Sequence, residues 1–125
     1  MLPGATFPLR RNLAEGTQGA EIIEELKPQP QDYIIQKRRT SAFYGTPLAL
    51  YLRRLGVDTL IVGGIATNWG VEGTVRDAWD RDYYVVVLED CCDALSPQEH
   101  QYPLQHIFPA RGVVTTVPAL AQGLG

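Results

Sequence analysis

Few side chains in this sequence could do chemistry, and they fall where predicted strands end. Lys37 closes a short β-rich run, and Cys91 and Cys92 follow a longer one. A lysine can supply a cation beside a reacting group, and a cysteine thiolate is a nucleophile once a nearby base or cation favours it. Packing is the simpler interpretation of each, because strand-end lysines are usually solvated and free cysteines are usually buried.

The sequence predicts no metal site and no cofactor. The two cysteines are adjacent and have no third partner, so neither a disulfide framework nor a structural zinc site can be built within one chain. His100 and His106 stand six apart in a predicted helix and do not share a face. Gly63, Gly64 and Gly70 lack the Gly-x-Gly-x-x-Gly spacing of dinucleotide sites, and no lysine follows to make a P-loop.

The elements that must position these residues centre on residues 59–78, TLIVGGIATNWGVEGTVRDA. The β-branched run at 60–62 predicts a strand buried on both faces of a parallel sheet. Gly63 and Gly64 end it, and apolar residues at helical spacing over 71–79 predict a helix. Such a strand–turn–helix junction lies at the carboxyl edge of an open α/β sheet, where ligands bind.

The remaining elements predict an α/β fold with a mainly parallel sheet. Further strands are predicted at 32–37, 84–88 and 113–115, and helices alternate with them. One helix starts at Thr46-Pro47 and stops at Gly56, another starts at the capping box of residues 96–99, and shorter ones are predicted at 20–26 and 118–124. Residues 1–19 are interpreted as a loop or poorly ordered arm, and residues 20–125 as one domain.

The central turn resembles the signature G-[IV]-x-T-[ND]-x-C-V-x-x-T-x-x-D-A of the isochorismatase-like cysteine hydrolases, which include isochorismatases, nicotinamidases and ureidoacrylate or carbamoyl-type amidohydrolases. The matching positions are Gly64, Ile65, Thr67, Asn68, Val71, Thr74, Asp77 and Ala78. Upstream, residues 26–48 are similar to a family segment whose strand ends in the catalytic lysine, here Lys37. The resemblance implies a Rossmann-like three-layer α/β/α fold, of which residues from about Gly16 onward represent the later part, without the first strands.

The resemblance also defines the candidate site. It places Lys37 and Gly70 at catalytic positions, and assigns the oxyanion hole and pocket to the turn, usually with a cis peptide between the residues matching Ile65 and Ala66. These turn residues are Ile65, Ala66, Thr67, Asn68, Trp69 and Gly70. Gly70 stands where the family has its nucleophilic cysteine, and no strand bearing the catalytic aspartate is recognisable before residue 20. A glycine can keep the turn, but it cannot attack a carbonyl carbon.

Several side chains around the turn have structural interpretations as well. Trp69 could cover the pocket, although packing in the core is favoured. Asp77 and Arg76 are expected to form a helix-surface pair or to cap a neighbouring loop. Glu72 and Asp90 are the carboxylates that could replace the missing aspartate.

Two functions from different classes follow from the resemblance. The chain is either a hydrolase acting on a small amide or a related C–N or vinyl-ether substrate, with impaired or altered catalysis, or a non-catalytic ligand-binding or assembly subunit that keeps the turn and the pocket. Residue chemistry favours the second for the chain as given. A third possibility, an N-terminally shortened chain whose parent carries the aspartate strand, is compatible with both.

Composition limits the partners and the compartment. A net charge of −3 with interspersed charges argues against nucleic acid or an anionic membrane as the main partner. There is no apolar run of transmembrane length and no signal-peptide pattern after Met1, and the unpaired cysteines favour the cytoplasm. A small-molecule ligand is expected. Because a partial sheet would leave an uncovered edge, we also expect the chain to be either a homo-oligomer or poorly soluble.

Overall fold

The computed structural model describes residues 15–125, and most of the predicted N-terminal arm lies outside them. The chain divides into two units, and the boundary between them along the sequence falls between Ile34 and Ile35. The described part of the first unit contains two 3₁₀ turns, Gln18–Ala20 and Glu24–Leu26. The helical turn predicted at 20–26 is therefore present only in its second half, and it is 3₁₀ rather than α because the segment is short and proline follows it.

The second unit is built on a parallel three-stranded sheet flanked by helices, as the sequence predicts. Its strands are β1 (Thr59–Ile65), β2 (Tyr84–Asp93) and β3 (Val113–Thr115), in the spatial order β1-β2-β3. Both strand pairs are parallel, with Ile61 beside Val86 and Val87 beside Val114. The α-helices are α1 (Leu48–Leu55), α2 (Glu72–Asp80), α3 (Pro97–Tyr102) and α4 (Val117–Leu124).

The helix boundaries follow the local signals in the sequence. The hydroxyl oxygen of Thr46 accepts the N–H of Leu48 at 3.3 Å at the start of α1. Gly56 ends α1 in the left-handed conformation, with φ of 67°, which glycine adopts without steric cost. At α3, the Ser96 hydroxyl accepts the N–H of Glu99 at 3.3 Å and donates to its carboxylate at 2.9 Å. The predicted N-cap at Ser96 is confirmed, but the Glu99 carboxylate accepts the Ser96 hydroxyl rather than the Ser96 N–H of a capping box.

The core of this unit lies between the sheet and the helices. Its buried apolar side chains are Phe43, Val71, Val75, Ala78, Val85, Val87, Leu104 and Phe108. Gly112, the residue before β3, packs directly against the backbone of β2. A Cβ at this position would collide with the carbonyl oxygen of Val85, so only glycine fits. The core therefore joins α2, β2 and the segment after α3 into one packed body.

Two expectations about strands are wrong. Residues 32–37 form no strand, since they have no ladder partner among the described residues. β1 is not buried on both faces: Ile61 is 54% exposed and Ile65 is 82% exposed. Exposure alternates along β1, so the described elements cover one face of this strand and leave the face of Ile61 and Ile65 open. β2 is longer than predicted and continues through both cysteines to Asp93.

No helix in residues 15–125 combines the length and the apolar character needed to cross a membrane.

We propose that the chain self-associates through the free edge of β3 in the described sheet. Val113→Lys should lower the apparent mass in light scattering at micromolar concentration, because Val113 is 58% exposed and a charged side chain on an edge strand opposes pairing with another edge. Leu124→Lys is the matched control, since Leu124 is 77% exposed on α4 and is not part of a strand. A parent chain that is already monomeric would contradict the proposal.

Candidate functional site

The site is built at the junction between β1 and α2. The peptide bond between Ile65 and Ala66 is cis, as the resemblance implies. A π-helical turn, Thr67–Val71, follows and leads directly into α2. The carbonyl oxygen of Ala66 accepts the N–H of Trp69 at 3.0 Å and the N–H of Val71 at 3.2 Å, so hydrogen bonds hold the turn closed.

The structure brings Lys37 and Gly70 together. The Lys37 Nζ lies 3.5 Å from the point that a Cβ on Gly70 would occupy. The same ammonium donates to the carbonyl oxygens of Arg39, at 2.8 Å, and Thr40, at 3.3 Å. Although the residue as a whole is exposed, partial burial of its amine lowers the pKa of Lys37, because burial disfavours the charged form. The two positions assigned by resemblance are therefore neighbours in space.

The segment after Lys37 is held against α2, and this sets the lysine opposite the turn. The N–H of Ala42 donates to the Thr74 hydroxyl at 3.0 Å. Thr40 packs closely on Gly73, where a Cβ would lie 3.0 Å from the Thr40 hydroxyl oxygen. Because that separation is tighter than side chains normally allow, a glycine at position 73 permits the close approach.

Asp77 anchors the same segment to α2. Its carboxylate accepts the Ser41 hydroxyl at 2.6 Å and the Arg81 Nε at 2.6 Å. Partial burial acts to raise the pKa of Asp77, but the hydrogen bonds from Ser41 and Arg81 and the charge of Arg81 outweigh it and hold the pKa below its ordinary value. Arg76 pairs with Glu72 at 3.0 Å instead. The expected cap from Asp77 to a neighbouring loop is present, whereas Asp77 and Arg76 do not pair with each other and each forms its surface pair with a residue four positions away.

A groove of about 330 Å³ runs along β1 beside Lys37 and Gly70. Its lining is Lys37, Ala42, Leu48, Leu52, Leu60, Ile61, Val62, Gly63, Gly64, Ile65, Gly70, Val71 and Thr74. Lys37 is the only charged residue in this lining. Glycine and aliphatic side chains make up nearly all the rest, so the groove offers an apolar surface with one cation.

Of the other turn residues proposed from the sequence, Ala66, Thr67, Asn68 and Trp69 do not line the groove. Trp69 is 46% exposed, and the expectation that it packs in the core is wrong. The geometry of the turn explains this outcome. Thr67 and Val71 are buried on its inner side, and Trp69, halfway between them along the chain, faces outward.

Neither cysteine joins the groove. Cys91 is exposed, and its Cβ lies close to Gly63, where a Cβ would come within 2.9 Å of it. Cys92 is half-buried against the core, and burial raises the pKa of its thiol. Because a buried thiol resists forming the thiolate, Cys92 is poorly suited to act as a displaced nucleophile. The packing role favoured by the sequence describes Cys92 but not Cys91.

The carboxylates that could replace the missing aspartate are engaged elsewhere. Glu72 is paired with Arg76. Asp90 accepts the N–H of Val117 with both oxygens, each at 3.1 Å, at the start of α4. Neither side chain lines the groove.

Sequence reasoning missed the role of His100. Its Nδ1 lies 2.8 Å from the hydroxyl oxygen of the fully buried Thr67, so α3 braces the turn. A buried threonine in a predicted turn needs a hydrogen-bond partner, which is the signal that could have revealed it. His106 instead packs against the ring of Tyr102, with centroids 4.9 Å apart. Over residues 15–125, no three potential metal ligands cluster together.

The sequence of this chain is similar to those of known proteins. Residues 4–119 match the sequence model of the isochorismatase domain. This match begins before Gly16, where the resemblance was expected to start. Among curated proteins, the chain is 44% identical over 93 residues to the uncharacterized isochorismatase family protein YecD of Escherichia coli O157:H7, covering 74% of this chain and 50% of that protein. It is 40% identical over 114 residues to the ureidoacrylate amidohydrolase RutB of Methylobacterium radiotolerans, covering 90% and 44%. The chain thus spans about half the length of these relatives.

Solved structures agree in fold. An isochorismatase-like hydrolase from Alkaliphilus metalliredigens superimposes with a TM-score of 0.84 at 38% identity, covering 88% of this chain and 61% of that chain. N-carbamoylsarcosine amidase from Thermoplasma acidophilum superimposes with a TM-score of 0.74 at 32% identity, covering 87% and 64%.

The anchor at Asp77 predicts a pH-dependent contribution to stability. Because its pKa is lowered in the folded chain, the stabilisation is present above the unfolded pKa, about 4, and is lost as the pH falls through the folded value. Asp77→Asn should therefore lower the free energy of unfolding at pH 7 by about 1 kcal/mol. In denaturant titrations this deficit should shrink below pH 4.

Asp80→Asn is the control, since Asp80 is exposed on the same helix. An equal deficit for the two variants at pH 7 would contradict the assigned role of Asp77.

Proposed function

This chain belongs to the isochorismatase family, and from that premise we propose that its groove takes a small amide or a related carbonyl compound without hydrolysing it through a cysteine. The single observation that carries the proposal is the separation of 3.5 Å between the Lys37 Nζ and the Cβ position of Gly70. The lysine faces the place from which a nucleophile would attack. At that place the chain has no side chain.

The chemistry of amide cleavage explains why the missing side chain matters. In the covalent route a thiolate attacks the carbonyl carbon, and a neighbouring acid or cation assists the charge that develops. Lys37 can supply the cation. The two cysteines lie outside the groove lining and cannot supply the thiolate there.

The class of ligand is inferred from relatives. One relative is named a ureidoacrylate amidohydrolase and a structural neighbour an N-carbamoylsarcosine amidase, and both names denote action at amide-type bonds. The groove volume of about 330 Å³ falls at the lower end of the range for small-ligand sites, roughly 300–1,000 Å³. We propose the cytoplasm as the compartment, because Cys91 and Cys92 are unpaired and free cysteines are typical of reducing compartments.

A second candidate is hydrolysis by an altered mechanism, in which Lys37 acts on water rather than beside a thiolate. Its specific support is the lowered pKa of Lys37, since a less basic amine releases its proton more readily and can then serve as a base.

The two candidates differ in turnover. The purified chain should release no ammonia from benzamide or nicotinamide above the level of a Lys37→Met variant, because Gly70 offers no attacking atom. Lys27→Met is the matched control, since Lys27 is the only other lysine and pairs with Glu24 outside the groove. Turnover that disappears in Lys37→Met and survives in Lys27→Met would overturn the binding proposal in favour of the water-based route.

Restoring a thiol tests the surroundings of Gly70. In a chain with both native cysteines changed to serine, Gly70→Cys should react with iodoacetamide only a few times faster than free cysteine, because Lys37 alone lowers the pKa of the new thiol. A Cβ at this position meets Lys37 at 3.5 Å, an ordinary contact, so the substitution fits.

Adding Lys37→Met to Gly70→Cys should return the rate to that of free cysteine. A fast rate near neutral pH that persists in the double variant would mean that a carboxylate has taken the place of the missing base.

A further inference from the structure

We propose that the groove beside Lys37 binds a small molecule that carries a carboxylate on an apolar body, and that it prefers this acid to the neutral amide of the same shape. The inference rests on the proposed function in taking the groove as a ligand site. It adds the charge of the ligand and the residue that recognises it.

The ammonium of Lys37 has a hydrogen-bond donor to spare. A lysine ammonium carries three N–H groups, and two of them are used by the carbonyl oxygens of Arg39 and Thr40. The third has no protein acceptor within residues 15–125. Because Lys37 lines the groove and its Nζ lies 3.5 Å from the Cβ position of Gly70, another lining residue, this third donor is available to a ligand.

The charge of Lys37 is also unmatched. Ion pairs within the described part of the chain include Lys27 with Glu24, Arg76 with Glu72 and Arg81 with Asp77, and Lys37 takes part in none of these. The groove lining contains no aspartate or glutamate. A cation in a mostly apolar groove, held only by neutral carbonyl oxygens, favours a ligand that brings the opposite charge.

No carboxylate of residues 15–125 lines the groove with Lys37. Asp77 accepts from Ser41 and Arg81, and Glu72 accepts from Arg76. Asp90 accepts the backbone N–H of Val117. These three carboxylates are bonded to other donors and do not bond to Lys37.

The absence of a side chain at position 70 leaves room for the ligand carboxylate. The position of the missing Cβ is 3.5 Å from the Nζ, and the groove extends from there along β1. Leu48 and Leu52 of α1 and Val62 of β1 contribute to its apolar walls. A flat or aliphatic body can pack on these side chains while its carboxylate accepts the hydrogen bond from Lys37.

Benzoate and benzamide test the inference directly, because they have nearly the same shape and differ in charge. Calorimetry or ligand-observed NMR should show that benzoate binds about tenfold more tightly than benzamide, the ratio that corresponds to one charge-assisted hydrogen bond. In Lys37→Met the two affinities should become equal. In Lys27→Met the preference should remain, because Lys27 lies outside the groove lining. Circular dichroism and cooperative unfolding of each variant establish that it is folded.

Equal measurable affinities in the parent chain, or a preference that survives Lys37→Met, would overturn the inference and leave the proposed function standing. Lys37-dependent release of ammonia from benzamide would overturn the proposed function instead, so the two failures are distinguishable. Binding of neither compound would overturn both.

Discussion

The contact on which the site depends is the docking of residues 40–42 against α2. Three features create it: the Ser41 hydroxyl donates to Asp77, the N–H of Ala42 donates to Thr74, and Gly73 leaves space for Thr40. Lys37 is bound to the same segment through the carbonyl oxygens of Arg39 and Thr40. Since Gly70 lies two residues before the start of α2, the docking brings the lysine and the turn to one place. Without it, Lys37 would be a solvated side chain on an irregular segment.

Small residues allow these elements to approach one another. Gly73 admits Thr40, and Gly63 admits Cys91 from the neighbouring strand. At both positions a Cβ would be too close to the facing atom, so the glycines fulfil a steric requirement. Gly70 is different, because a Cβ there would make only ordinary contacts. The backbone therefore does not require glycine at position 70, where the family signature has a cysteine.

Local signals in the sequence predicted much of the fold, whereas interactions distant along the chain were not predictable. The stop at Gly56 and the N-cap at Ser96 depend on residues within one turn, and both are confirmed. The burial of β1 depends on which elements pack on its two faces, and a strand at 32–37 would depend on a strand lying beside it; no local pattern contains either. The Ser41–Asp77 and Thr67–His100 contacts join residues 36 and 33 positions apart. The motif alone indicated that Lys37 and Gly70 belong together.

The electrostatics of the groove follow from which charges are satisfied and which are not. Asp77 has a lowered pKa although burial opposes its charge, because two donors stabilise the carboxylate. Lys37 also has a lowered pKa, but in a cation this means that its charged form is disfavoured, since burial is not offset by an anion. A lowered pKa thus means that the charged form of Asp77 is stabilised by its hydrogen-bond donors, whereas the charged form of Lys37 is disfavoured by burial. By linkage, an anion that pairs with Lys37 must raise the pKa of that lysine, so a ligand carboxylate and the proton on Lys37 bind cooperatively.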